Sequence, residues 1–527
     1  MACAVAKPLL NVDILRLLVK LSPDAQTLSN WQLTCKAFRK SEQDQMFDWK
    51  LDWVYKKLER LIGVEKTFFL RNGATVFYVG EIVLVGFEQK QVYKELFKRI
   101  SSDEFDNTVD LELVKHLAEV LKMISMKLTH FTLTRSRMGI QDAKAFGKAL
   151  KVNTSLTELR LYNNNIGAEG VKELAEALKL NTSLTEIDLS GNGIGDEGAK
   201  HLAQALKVNT SLTKIFFSRN KIGAEGGKEI GDALKVNTSL TYIGLGHNNI
   251  AEGGKAIGEA LKVNTTLTEI VLVFNDIGDE GKAIGEALKV NTSLSLIWLQ
   301  GNHLPDTAGK ALGEGLKLNT SLTTMFLGGN KIGDIGAKAI GQALKLNTSL
   351  IEIDLDFNKI GDEGAKAIGD GLKSNTSLTD LNLEHNKISD EGASGIGDGL
   401  KSNTLLTDLN LEHNKISDEG GKAIGEALKM NTTLTNIKLA HNEISDEGAI
   451  GIGEGLKINT SLHRMDLGDN NIGDEGGKAI GEALQVNNSL TFIDLRDNDI
   501  SKEVLRGSFS YRQGLYCNLG SDFGFFF

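Results

Sequence analysis

A segment of 28 residues, repeated with little change through most of the chain, constrains this sequence more than any other feature. One copy, residues 181–208, reads NTSLTEIDLSGNGIGDEGAKHLAQALKV. An Asn closes the first half of each copy, at Asn164, Asn192, Asn220, Asn248 and onward to Asn498. Neighbouring Asn positions lie 28 apart, except for two intervals of 27 (248 to 275 and 275 to 302) that lack one residue in the loop before the second half. A degenerate first copy carries Ser136 in the Asn place, giving about fourteen units over residues 128–500. At 527 residues the chain is too long for one ordinary core. A repeat array escapes that limit because its core grows along one direction.

Each copy changes period half-way. The first half follows L-x-x-L-x-L-x-x-N-x-I, as in Leu156, Leu159, Leu161, Asn164 and Ile166, and the alternation across the later leucines is that of a strand. The Asn stands where the chain must turn, and its amide can satisfy backbone groups of its own loop and of the next unit, forming a ladder. The second half, as in residues 361–373 (GDEGAKAIGDGLK), has apolar residues at helical spacing. Asp and Glu open that helix and Lys closes it, matching the helix dipole. The Asn that follows is expected to end the helix in a left-handed conformation. Glycine inside a helix costs about 0.5–1 kcal/mol relative to alanine, yet Gly258, Gly285, Gly341, Gly369 and Gly425 take the place held by Ala175 and Ala203. A demand for close approach by a neighbouring element explains that choice, and with it the high glycine content of 57 residues.

These motifs resemble the leucine-rich-repeat family, ribonuclease-inhibitor-like subtype, over roughly residues 128–500. The resemblance implies an α/β solenoid: a horseshoe with a parallel sheet inside and helices outside. It also implies a protein-binding role on the concave face and no enzymatic activity.

Several other functions are disfavoured. The net charge of −10 and the lack of a Lys/Arg run speak against nucleic acid and anionic membrane. Three scattered cysteines, Cys3, Cys35 and Cys517, suit a reducing compartment. Pro8, Asn11, Asp13 and Arg16 interrupt the first apolar stretch, so no signal peptide is read, and Thr75 to Phe87 is short for a membrane span and contains Glu81. A soluble protein of the cytoplasm or nucleus is expected. Gly193, Gly195 and Gly198 spell a dinucleotide-like motif, but they form one copy of the repeated turn. The column His247, His385, His413 and His441 is read as a surface feature. No catalytic, metal or cofactor residues are expected.

Strand positions between the core leucines should face the concave side. Read unit by unit, they give an apolar centre of Phe216, Tyr242, Phe274, Trp298, Phe326 and Phe357. An acidic arm follows, with Asp354, Asp356, Asp380, Glu384, Asp408 and Glu412 leading into Asp466, Asp469, Asp494 and Asp497. Rigidly presented aromatics mark interface hot spots and carboxylates steer a basic partner. The expected partner is a protein with a basic patch and an apolar anchor.

The chain before residue 128 lacks the repeat. Apolar residues at helical spacing, Leu9, Ile14, Leu17 and Trp31 among them, lead to Leu33-Thr34-Cys35-Lys36-Ala37-Phe38-Arg39. That ending is similar to the end of an F-box, although the usual Leu-Pro-x-Glu opening is replaced by Leu9-Leu10-Asn11-Val12. The resemblance implies docking of Leu9, Ile14, Leu17, Trp31, Cys35 and Phe38 on the Skp1-type adaptor of a cullin–RING ubiquitin ligase, with the repeats choosing the substrate. The expected organisation is a helical F-box-like module at 1–45, an α+β linker and N-terminal cap at 46–127, the solenoid at 128–500, and a C-terminal cap and tail at 501–527. Two short strands are expected around Arg71-Asn72-Gly73 and a capping helix at 111–124. Two alternatives stay open: a regulatory scaffold of the inhibitor or sensor kind, and a Ran-type GTPase activator using Arg135 or Arg137 as an arginine finger.

Overall fold

The computed structural model describes residues 70–71, 74–79, 82–87, 128–134, 138–508, 514–519 and 524–526. They fall into two compact units, one ending at Asn220 and the other beginning at Lys221. The expected F-box-like helices, the 111–124 helix, Arg135 and Arg137 lie outside the described residues.

The first unit is built on the parallel strands Leu128–Leu133, Glu158–Arg160, Glu186–Asp188 and Lys214–Phe216. Helices Ile140–Leu150, Gly167–Leu178 and Gly195–Leu206 alternate with them. On the outer edge of Leu128–Leu133 the sheet turns antiparallel through Ile82–Phe87 and Ala74–Val79. Leu70–Arg71 then pairs back across Asn72-Gly73, where the two short strands were expected.

The second unit is an α/β solenoid of the same kind. Strands from Tyr242–Gly244 to Tyr516–Asn518 pair in parallel, each with the next. Gly524–Phe526 closes the edge antiparallel, with Phe525 opposite Cys517. Phe525 and Phe526 thereby contribute to an added edge strand.

One copy shows how the sequence makes these elements. Leu350, Ile353, Leu355, Ile360, Ile368 and Leu372 are at most 1% exposed. Each is worth about 1.5–3 kcal/mol of burial. The strand Glu352–Asp354 buries only its middle residue, so its first and third side chains face away from the helices.

Two polar ladders join the copies. The Asn358 Nδ2 donates to the Leu327 carbonyl of the preceding copy at 3.0 Å and to Leu355 of its own at 3.1 Å. Its Oδ1 accepts the Ile332 N–H at 3.0 Å. The ladder expected from the sequence is present, but each Asn reaches back to the preceding copy and not forward to the next. The second ladder was not foreseen. From Asp306 onward, the first-turn Asp of one helix caps the next. The Asp334 Oδ1 accepts the N–H groups of Gly361 and Gly364 at 2.8 and 2.9 Å, at the start of helix Asp362–Leu372. Asp362 does the same for Ser389 and Gly392.

The Asn after each helix does not adopt the left-handed conformation expected of it. Asn459 has φ −65° and ψ 135°. It works through its side chain: Asn375, its counterpart, donates to the Leu344 carbonyl at 2.8 Å and accepts from Ser377 and Leu378 N–H groups at 3.0 and 2.8 Å. The orphan carbonyls of one helix end are satisfied from the next copy, so no backbone reversal is required. Left-handed residues occur instead just before the ladder Asn, as at His385 and His413 (φ 51° and 53°).

The helix glycines meet the expectation of close approach. A Cβ added at Gly258 would lie 2.6 Å from the Ala283 carbonyl carbon of the next helix. In the two copies that are one residue short, the first α-turn becomes a 3₁₀ turn at Ala251–Gly253 and Gly278–Glu280, each entered with a positive φ.

Candidate protein-binding face

In the second unit the strand register sorts the expected contact residues into rows. The row of first strand positions runs Tyr242, Glu269, Leu296, Thr324, Glu352, Asp380, Asp408, Asn436 and Arg464. The row of third positions runs Gly244, Val271, Trp298, Phe326, Asp354, Asn382, Asn410, Lys438 and Asp466. Both rows stand on the sheet face opposite the helices, because the residue between them is buried in every copy.

Of the expected aromatics, Trp298 and Phe326 are brought together, with ring centroids 4.2 Å apart and planes inclined by 32°. Tyr242 lies on the same face of this unit but is separated from the pair by one intervening strand, Glu269–Val271. Phe216 ends the last strand of the first unit, half-buried. Phe274 and Phe357 are not strand residues. Both occupy the left-handed turn after the strand (φ 53° and 46°), where each stacks on a histidine: Phe274 on His247 at 4.7 Å, Phe357 on His385 at 3.9 Å.

The acidic residues divide similarly. Glu352, Asp354, Asp380 and Asp408 line a shallow groove of about 220 Å³ floored by Ile353, Leu381 and Leu409, with Asn382, Asn410, Asn436 and Lys438 at its far side. Asp356, Glu384 and Glu412 form a third row just beyond the strands. Asparagines bridge the carboxylates: Asn436 Nδ2 donates to Asp408 at 2.8 Å and Asn410 Nδ2 to Glu384 at 2.9 Å. The expected acidic arm is therefore interleaved with amides. Farther along it is broken by Lys438, Arg464 and Arg496, and Arg496 pairs with Asp494 at 2.8 Å. These amide and basic positions are visible in the sequence. They emerge only when the same strand position is read down all copies.

Five of these carboxylates, Glu352, Asp354, Asp356, Glu412 and Asp466, are held above the ordinary range. Burial, with the neighbouring Asp380 and Asp354, raises the pKa of Glu352. Burial likewise raises Asp354, Glu412 and Asp466. Burial together with Asp354 and Glu384 lifts Asp356 to about 6. Each of these groups gains if a cation is brought beside it.

Eleven segments match the leucine rich repeat family model: residues 152–175, 180–203, 208–231, 263–281, 318–341, 346–369, 374–397, 402–425, 431–453, 459–481 and 486–503. They fall on the strand–helix copies described above. The chain is a leucine-rich-repeat protein. No curated protein sequence matches it. Among solved structures, this leucine-rich-repeat protein is similar to an internalin (InlF) from Listeria monocytogenes, with 21% identity, a TM-score of 0.47, and 79% of this chain and 96% of that one covered. It is also similar to a chain in the LRIM1/APL1C complex, with 14% identity, a TM-score of 0.37, and 71% and 57% covered. A third is a chain of the yeast Rad7–Elc1 complex, with 13% identity, a TM-score of 0.37, and 94% and 98% covered. Among the described residues no helix is long and apolar enough to cross a membrane. The expected adaptor contacts Leu9, Ile14, Leu17, Trp31, Cys35 and Phe38 lie outside the described residues.

Proposed function

We propose that this leucine-rich-repeat protein is a non-enzymatic binding scaffold that seats a protein partner on the open face of its second unit. An apolar side chain of the partner packs against Trp298 and Phe326, and its Lys or Arg residues enter the groove of Glu352, Asp354, Asp380 and Asp408. The observation that carries this reading is the adjacency of the two features in register. Phe326 pairs directly with Asp354 across neighbouring strands, so an aromatic anchor and an acidic groove are one continuous surface. Partially exposed aromatics on a rigid sheet bind at low entropic cost, and a basic partner relieves carboxylates whose charge is disfavoured.

Affinity capture from the source cells tests it, comparing the wild type with W298A/F326A and with D354N/D380N/D408N. Proteins held by the wild type and lost from both variants, with retained circular dichroism, support the face. Capture unchanged in both contradicts it.

The finer reading is that the protein is the substrate-recognition subunit of a cullin–RING ubiquitin ligase, acting in the cytoplasm or nucleus. The Leu33–Arg39 sequence followed by substrate-choosing repeats supports it. Purified Skp1-type adaptor should then bind the full chain, and Cys35→Asp or Phe38→Ala should abolish binding. No binding by the wild type leaves a regulatory scaffold without ligase.

A further inference from the structure

The left-handed turn before the ladder Asn presents one side chain per copy, and in three successive copies that side chain is a histidine. His385 and His413 stack with centroids 3.8 Å apart and planes 12° apart, and His441 continues the stack at 3.9 Å and 10°. Phe357 closes the other end. The backbone does not require this choice, because other copies place glycine or aspartate at the same positive φ, as at Gly301, Gly329 and Asp469. Glu384 adds a carboxylate one residue before His385, with Oε1 3.7 Å from the His385 Nε2. Its other oxygen accepts from Asn410 Nδ2 at 2.9 Å. One ligand atom from each of Glu384, His385 and His413 lies within 4.8 Å of the others, and all three side chains are partly open to solvent.

We propose that Glu384, His385 and His413 form a site for a divalent transition-metal ion of the zinc class. Two imidazoles and one carboxylate are the donor set of borderline ions, and zinc bonds of about 2.0–2.2 Å require the two rings to turn out of their parallel stack so that their in-plane lone pairs converge on the ion. The amide of Asn410 acts as the outer partner that orients the ligating carboxylate. The open side of the set leaves coordination positions for water or for a donor from a bound protein. The site uses neither the Trp298–Phe326 anchor nor the four groove carboxylates, and the metal titration needs no partner, so its outcome is distinguishable from that of the partner-binding test.

The test titrates Zn²⁺ into the tag-free full chain against a chromophoric chelator, with Co²⁺ absorption as a second probe. One equivalent should bind at micromolar Zn²⁺. H385A and H413A should each weaken binding at least thirtyfold and E384Q about tenfold, while H247A, in a different copy, should leave it unchanged. A Co²⁺ spectrum with visible ligand-field bands should vanish in H413A. Circular dichroism and melting of each variant separate loss of ligand from loss of fold. No stoichiometric Zn²⁺ at tens of micromolar, or binding that persists in the double variant H385A/H413A, overturns the site. The histidine column would then be a ring stack only.

Discussion

Asp334 caps a helix that is not its own: its Oδ1 receives both the Gly361 and the Gly364 N–H, 2.8 and 2.9 Å away in the next copy. Gly361, the N-cap residue of the capped helix Asp362–Leu372, has no side chain to do this. The capping residue has been moved one repeat upstream, so each cap is also a bond between copies. Replacing Asp334 by Ala leaves two helix-terminal N–H groups without an acceptor and should cost about 1–2 kcal/mol. Urea unfolding measures this. A loss below a few tenths of a kcal/mol would mean that water serves as well.

The same ladder sets an acid limit. Burial alone would raise Asp362 and Asp418, but hydrogen bonds from Ser389 and Gly392, and from Ser445 and Gly448, hold both below the ordinary aspartate range. A lowered folded pKa gives stability that is present above the unfolded value of about 3.9 and lost as pH falls through the folded one. Asp356 on the open face has the opposite sign. Asp356, lifted to about 6, costs stability above that pH and stops doing so as it protonates. Melting temperature should therefore rise from pH 7 to pH 5 and fall below about pH 4. Asp356→Asn should flatten the rise and Asp362→Asn the fall; absence of the rise would contradict the first assignment and absence of the fall the second.

Asn358 is 7% exposed and its amide joins two copies through Leu327, Leu355 and Ile332. Asn358→Ala leaves buried backbone groups unpaired on both sides of the strand end and should cost about 2–4 kcal/mol. Asn358→Asp should be nearly as damaging, because its oxygens cannot donate to the Leu327 and Leu355 carbonyls. Thermal melting distinguishes this from a spacer role, under which Asp would be tolerated.

Helix propensity and packing make opposite forecasts for Gly258→Ala. Propensity favours alanine by about 0.5–1 kcal/mol. The new Cβ, however, meets the Ala283 carbonyl carbon at 2.6 Å, and overpacking of this kind costs about 1–3 kcal/mol. The variant should be less stable than the wild type; a higher melting temperature would show that the neighbouring helix shifts freely.

The repeat makes the elements and their faces legible. The leucine spacing in copies such as 350–372 assigns strand, loop and helix from side-chain period alone, and the choice of glycine at position 258 signals that the next helix comes close. What stays hidden depends on relations between copies. The sequence places Asp334 in a first turn, a position that one helix explains by its dipole, and gives no sign that the aspartate bonds the next copy. Phe274 and Phe357 read as concave strand residues because the leucine pattern does not fix strand length. The strands are only three residues long, so these side chains fall in the following turn. The groove is half legible: its acids stand out by charge, whereas Asn382, Asn410 and Asn436 matter only through strand register.

The charged groove should govern how fast a basic partner arrives. D380K/D408K should slow association at least tenfold at low salt, with little change in dissociation. Stopped-flow mixing at two ionic strengths reads both rates; an unchanged association rate would remove the groove from the encounter.

The affinity of a purified partner for W298A/F326A, measured by calorimetry against the wild type, tests the open face most directly. Truncation of a central aromatic pair should weaken binding by about a hundredfold or more, while the helix-side variant K366A stays within twofold. Equal affinities for W298A/F326A and the wild type would place the partner elsewhere on the protein.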